Sequence, residues 1–146
     1  MSDKNFDVVV YGATGFTGKL VVEYMLNQYG NDESITWAIA GRSHEKLIAV
    51  RDALGISHDV ALLKVDSNDE SSVAEMVKQT KCVLTTVGPY QLYGPSIVKQ
   101  CASNGTDYVD LCGEPGWMHE MINEHAEQAR ETGARIVFSC GFDSIP

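Results

Sequence analysis

Three glycines spaced three apart stand in the run Val9-Val10-Tyr11-Gly12-Ala13-Thr14-Gly15-Phe16-Thr17-Gly18-Lys19-Leu20. Glycines at that spacing can form a phosphate-binding turn. Gly12 lets the chain leave an extended segment in a conformation that a β-carbon hinders. Gly15 lets the backbone approach a pyrophosphate, and Gly18 admits close packing of a following helix. The N-terminus of that helix then offers free N–H groups and a partial positive charge to phosphate oxygens. The spacing is G-x-x-G-x-x-G, a variant of the dinucleotide fingerprint, and Leu20 after Gly18-Lys19 departs from the ending of a P-loop. Such a turn also serves where a chain merely bends sharply, so its flanking elements decide between the two readings.

The stretch Ile39-Ala40-Gly41-Arg42-Ser43-His44-Glu45-Lys46 bears on which dinucleotide is bound. NAD sites carry an Asp or Glu at the end of the second strand, on the ribose 2′-hydroxyl, and no acid stands at that tip. Arg42, with Ser43 and Lys46, suits a 2′-phosphate, so NADP is expected in preference to NAD. The plainer alternative leaves Arg42 and Lys46 as surface cations near Glu45. Asp66 and Val87-Gly88-Pro89-Tyr90 are expected at the same edge. Asp66 suits a hydrogen bond from an adenine amino group. It equally suits a helix start in Asp66-Ser67-Asn68-Asp69, with Ser67 or Asn68 as the cap. Gly88 lets a bulky cofactor lie close to the backbone.

These loops need a scaffold, and the chain supplies one by alternation. Strands are predicted at 6–11, 36–40, 60–65, 82–87, 106–111 and 135–139, and helices at 17–29, 44–54, 69–78, 94–104 and 115–132. Strict alternation implies right-handed crossovers and a parallel sheet covered on both faces, which explains β-branched runs such as Val8-Val9-Val10. The expected fold is α/β, a doubly wound six-stranded sheet in the order 3-2-1-4-5-6 within three α/β/α layers. The 146 residues suit one domain spanning 1–146. In the last helix Glu120, Glu124, Glu127 and Glu131 mark a solvated face opposite Met118, Ile122, His125 and Ala129.

Composition narrows the function classes. Eleven basic against 20 acidic residues give a net charge of -9, which opposes extended contact with nucleic acid or an anionic membrane. No apolar run approaches the roughly 20 residues of a membrane span, and Met1-Ser2-Asp3-Lys4-Asn5 lacks a secretory layout, so a cytoplasmic protein is expected. Cys82, Cys101, Cys112 and Cys140 form no C-x-x-C pair and read as small core residues. His119-Glu120-Met121-Ile122-Asn123 stops short of H-E-x-x-H, and His119 and His125 point to different sides of a helix, so no metal site is expected.

Five blocks taken together resemble the saccharopine dehydrogenase-like oxidoreductases. They are Gly12-Ala-Thr-Gly-Phe-Thr-Gly18; Ala40-Gly-Arg-Ser43 with Glu45-Lys-Leu47; Thr86-Val-Gly-Pro-Tyr90 with Tyr93-Gly94; Gly105-Thr-Asp-Tyr-Val-Asp110 with Gly113-Glu-Pro115; and Cys140-Gly-Phe-Asp-Ser-Ile-Pro146. The last block is closer to the enoyl-reductase and uncharacterised branch than to the lysine enzymes. The resemblance implies a nicotinamide-binding Rossmann domain whose cofactor loops contain Gly12, Thr14, Gly15, Phe16, Thr17, Gly18, Arg42, Ser43, Asp66, Gly88, Pro89 and Tyr90. It also implies that substrate is held largely by a second domain, absent from this chain.

The expected function is the NADP-binding domain of a hydride-transferring oxidoreductase. The alternative is a non-catalytic dinucleotide sensor. Catalytic residues are not assigned: none of Tyr11, Tyr24, Tyr29, Tyr90, Tyr93 and Tyr108 is followed four residues later by lysine, as a short-chain dehydrogenase requires. Tyr90, Tyr93 and Glu114 stand near the ligand edge as proton-transfer candidates. If a second domain normally covers this one, an apolar area near residues 136–146 is exposed and available for a homodimer.

Overall fold

Val8-Val9-Val10 carries no polar alternation, as a strand covered on both faces should not. The computed structural model describes residues 4–141 together with Ser144 and Ile145 and places this run in β1 (Phe6–Tyr11), at the centre of a parallel sheet. The other strands are β2 (Trp37–Gly41), β3 (Ala61–Lys64), β4 (Thr80–Thr85), β5 (Asp107–Asp110) and β6 (Ile136–Val137). Their order is β3-β2-β1-β4-β5-β6, with every pairing parallel, as the alternation predicts. The helices are α1 (Phe16–Tyr29), α2 (His44–Leu54), α3 (Glu70–Gln79), the single turn α4 (Tyr90–Tyr93), α5 (Pro95–Asn104) and α6 (Pro115–Thr132).

Right-handed crossovers assign each helix to a face. Going outward from β1 to β3 puts α1 and α2 on one side; returning to β4 and going outward to β6 puts α3, α5 and α6 on the other. Two cores result. Val10, Ala13, Val22, Met25, Ile39, Leu47 and Val50 pack beneath α1 and α2. Val9, Tyr11, Val73, Val77, Val83, Ile97, Tyr108, Trp117 and Met121 pack on the opposite face. The same rule leaves the α1 side of β4 to β6 without a helix among the described residues. Leu84 and Val109 are only half-buried there, and Val137 is 50% exposed.

Five local expectations are corrected. A single turn, α4, forms before α5, and β4 runs from Thr80 to Thr85 instead of 82–87. The cap of α3 is Asp69, whose carboxylate accepts from Ser71 N, and neither Ser67 nor Asn68. On α6 the stripe is rotated: Trp117, Met121 and Ala129 are buried, while Ile122 lies on its flank at 53% exposure. Finally, β6 ends early because Ser139 N and Cys140 N donate to Asp110, through Oδ1 at 2.8 Å and the main-chain oxygen at 2.7 Å. Cys101 and Cys112 are buried, Cys82 is half-buried and Cys140 exposed, and all four thiols are free. In the last sequence block, Phe142, Asp143 and Pro146 lie outside the described residues.

At the end of the sheet away from the loops, Asp7 ties three strands together. Its Oδ2 accepts from Thr36 N at 2.8 Å and Thr36 Oγ1 at 3.0 Å, and its Oδ1 pairs with Lys81 Nζ at 2.8 Å. Hydrogen bonds from Lys81 and then from Thr36 hold its carboxyl below the ordinary carboxylate range. A carboxyl group depressed in the folded state stabilises fully above its unfolded value, and that contribution is lost as pH falls through its folded value. Asp7→Ala is therefore expected to lower the unfolding free energy by about 1 kcal/mol at neutral pH. In urea titrations the gap from the unsubstituted protein should hold at neutral pH and shrink as pH falls below the ordinary aspartate value of about 3.9.

Candidate functional site

The carboxyl ends of β1, β2 and β4 open on a cavity of about 660 Å3. Tyr11 and Gly12 form its floor, and Thr14, Gly15, Phe16, Thr17 and Gly18 supply the loop and the start of α1. Gly41, Arg42, Ser43 and Lys46 line one end, Ser67 stands beside Tyr11, and Thr86, Val87, Gly88 and Tyr93 line the other end. Strand order dictates this layout. Because β2 and β4 flank β1, the cations and the β4 loop lie at opposite ends of the glycine loop.

Ten of the thirteen expected cofactor residues line the cavity: Gly12, Thr14, Gly15, Phe16, Thr17, Gly18, Arg42, Ser43, Lys46 and Gly88. Asp66, Pro89 and Tyr90 lie off the wall. The Asp66 carboxylate accepts from Asn68 N at 2.9 Å in its own turn. Ser67 faces the cavity instead, hydrogen-bonded to Tyr11, whose hydroxyl burial pushes above its ordinary value. Tyr90 is buried, with its hydroxyl donating to Thr85 O at 3.3 Å and accepting from Leu111 N at 3.4 Å. Burial pushes that hydroxyl up to about 12. Val87 lines the wall at the edge where the sequence places it, whereas sequence reasoning did not place Tyr11, Gly41, Ser67 or Thr86 there. Their signal was position alone, since Tyr11 and Gly41 end their strands and Thr86 follows the end of β4.

The glycines divide into two kinds. Gly12 has φ of +91°, and a Cβ there would stand 2.6 Å from Thr86 Oγ1 and 2.8 Å from Val87 Cγ2. A Cβ on Gly18 would overlap the carbonyl oxygen of Gly12. The fold itself requires these two. Gly15 and Gly88 are different, because a Cβ on either meets protein atoms no nearer than 3.5 Å and 3.6 Å and has an ordinary negative φ. Both line the cavity, so the space a side chain would fill is cavity space.

The cavity is also electrostatically open to an anion. The first turn of α1 has no side-chain cap and no acidic residue, whereas Ser43 caps α2 and Asp69 caps α3. Arg42 and Lys46 are exposed, and among the described residues neither forms an ion pair, with Glu45 or any other acid. Backbone N–H groups, the helix dipole and two unpaired cations together suit a ligand with a pyrophosphate and a further phosphate. Among the described residues no three His, Cys, Asp or Glu side chains converge as metal ligands, and no helix is long and apolar enough to cross a membrane.

Residues 8–137 match the family described as the saccharopine dehydrogenase NADP binding domain. The chain belongs to that family. Among curated relatives, a trans-acting enoyl reductase of Mycobacterium leprae is 45% identical over 144 residues, covering 98% of this chain and 34% of its own length. A lipid droplet localized protein of Caenorhabditis elegans is 44% identical over 147 residues, covering 97% of this chain and 34% of its own. This NADP-binding domain thus spans about a third of the length of the curated relatives it matches. Its fold is also that of solved oxidoreductases. Saccharopine dehydrogenase from Saccharomyces cerevisiae superposes with a TM-score of 0.73 at 17% identity, over 95% of this chain and 28% of that one. The triphenylmethane reductase of a Citrobacter species, complexed with NADP(H), gives 0.63 at 20% identity, over 91% and 48%.

The residues on the wall fit NADP: the uncapped start of α1 for the pyrophosphate, Arg42, Ser43 and Lys46 for the 2′-phosphate, and room at Gly15 and Gly88 for its bulk. The two kinds of glycine should separate on substitution. Gly15→Ala is expected to leave stability within about 0.5 kcal/mol and to weaken NADPH binding at least about tenfold. Gly18→Ala should instead cost about 1–3 kcal/mol or more of stability by pressing a methyl group on backbone. Thermal unfolding without ligand, followed by NADPH titration, measures both.

Proposed function

We propose that this domain presents NADPH for hydride transfer in an oxidoreductase whose acceptor is an enoyl compound held mainly by a further domain. The observation that carries the reading is the juxtaposition, across one cavity, of two cations that form no ion pair among the described residues, at the β2 end, with an open loop at the β4 end. When bound, the cofactor supplies a hydride from its nicotinamide ring. The protein's part is to anchor and orient it. Arg42, Ser43 and Lys46 fix the 2′-phosphate, the α1 N-terminus fixes the pyrophosphate, and Thr86, Val87, Gly88 and Tyr93 bound the reactive half. The 45% identity to a trans-acting enoyl reductase supports an enoyl acceptor.

The half-bare sheet supports the further domain. Leu84, Val109, Leu111 and Val137 present an apolar strip on the α1 side of β4 to β6 that a parallel sheet ordinarily covers. A second domain covers this strip in the proposal, and a homodimer through the same strip is its counterpart for the domain alone. A cytoplasmic location belongs to the same reading. One observation favours dinucleotide sensing without catalysis: Tyr90 and Glu114, two of the three proton-transfer candidates, are both engaged in hydrogen bonds within the fold.

Titration calorimetry tests the cofactor assignment. NADPH should bind at least about tenfold more tightly than NADH, and Arg42→Ala should erase most of that difference while leaving NADH nearly unchanged. Equal affinity for the two would overturn it. Loss of NADPH absorbance on adding enoyl thioesters to the protein joined to the remaining segment of a trans-acting enoyl reductase relative tests the activity. Binding without turnover there would favour the sensor.

A further inference from the structure

We propose that Glu114 is a positioning residue for the nicotinamide half of the cavity, acting through the one-turn helix α4 without touching cofactor or substrate. The inference rests on reading the cavity as an NADP site with the 2′-phosphate at Arg42, which leaves the nicotinamide half at the β4 loop. Glu114 does not line the cavity. Its two carboxylate oxygens are each engaged: Oε2 accepts from Tyr90 N at 2.7 Å and Oε1 from Gln91 N at 3.1 Å.

Those N–H groups open α4, whose own cap position is Pro89, a residue with no side-chain acceptor to offer. A carboxylate at the head of α6, 24 residues on from Tyr90, therefore caps α4 from outside. The turn it holds ends at Tyr93, which lines the cavity, and is preceded by Gly88, which does so as well. Apolar contacts set the depth of the same turn. The Tyr90 ring lies 5.8 Å from that of Trp117, and a Cβ on Gly94 would stand 2.5 Å from Trp117 Cζ2. Ring packing tolerates rotation of the turn about its axis. Two charge-assisted hydrogen bonds from one planar group do not, so Glu114 sets the direction in which Gly88 and Tyr93 face.

The test compares NADPH with adenosine 2′,5′-bisphosphate, which carries the 2′-phosphate end and lacks the nicotinamide. Calorimetry on the unsubstituted protein, Glu114→Ala and the isosteric Glu114→Gln is read beside nicotinamide fluorescence of bound NADPH and thermal unfolding. Glu114→Ala should weaken NADPH about tenfold and lower the fluorescence of the bound nicotinamide, with the bisphosphate unchanged within about twofold. Glu114→Gln, which keeps one acceptor oxygen, should fall between, and it carries the test if the alanine variant does not fold. Unchanged NADPH affinity and fluorescence in the folded variants would overturn the proposal. So would equal weakening of both ligands with a fall in melting temperature, which marks a general structural role. Failure of the unsubstituted protein to bind either ligand would instead overturn the NADP reading on which the proposal stands.

Discussion

The approach of α1 to the end of β1 is the contact on which the rest of the site depends. Gly18 lies against the Gly12 carbonyl with no room for a side chain, so the first turn of the helix is pulled into line with the strand that precedes it. The N–H groups of that turn are thereby carried to the carboxyl edge of the sheet and aimed across it. The β4 end closes on the same point, with Thr86 N and Oγ1 donating to Tyr11 O at 3.0 and 3.3 Å. Gly12 allows this second approach as Gly18 allows the first. Two missing methyl groups bring a helix end and two strand ends within reach of one ligand.

Handedness does the remaining placement. Right-handed crossovers in a sheet that winds outward in both directions put α1 and α2 on one face and α3, α5 and α6 on the other. The switch between β1 and β4 is where the loops diverge, and the crevice between them is the cavity. The same rule leaves half of one face without a helix among the described residues. The half-buried Leu84 and Val109 and the exposed Val137 are consequences of topology, not flaws in packing.

Much of this was legible in the sequence because it depends on local or periodic signals. Glycine spacing, the missing acid before Arg42 and the alternation of apolar runs each report on a backbone requirement that few residue types meet. The spans of α2 and α6 follow from the capping Ser43 before α2, Pro115 at the start of α6, and the terminal Gly55 and Gly133. What the sequence hid depends on contacts distant along the chain. Nothing near Tyr90 announces that its N–H is capped by Glu114, so α4 went unseen and Tyr90 was read as facing the ligand. Asp66 stays open in the sequence because an aspartate in a turn can serve ligand or backbone equally well; in the fold its carboxylate accepts from the Asn68 N–H. The stripe on α6 was displaced because Trp117, next to the helix start, counts in the periodicity only once the aromatic group of Tyr90, Trp117 and Phe138 is assembled.

The existence of two separate cores has a consequence for how such a pocket can change. The cation end and the glycine loop rest on α1 and α2, backed by Ala13, Val22, Leu47 and Val50. The β4 loop rests on Tyr90, Ile97, Trp117 and Met121, on the other side of the sheet. The cavity is a seam between two foundations on opposite faces of one sheet, which share the backbone of its strands. Drift in one core can retune the grip on the common, invariant part of a cofactor while the geometry of its reactive end stays put. Drift in the other can reshape the reactive end for a new chemistry without loosening the grip. A lineage that kept one loop and diversified its reactions would find that division of labour already present in the layering of the fold.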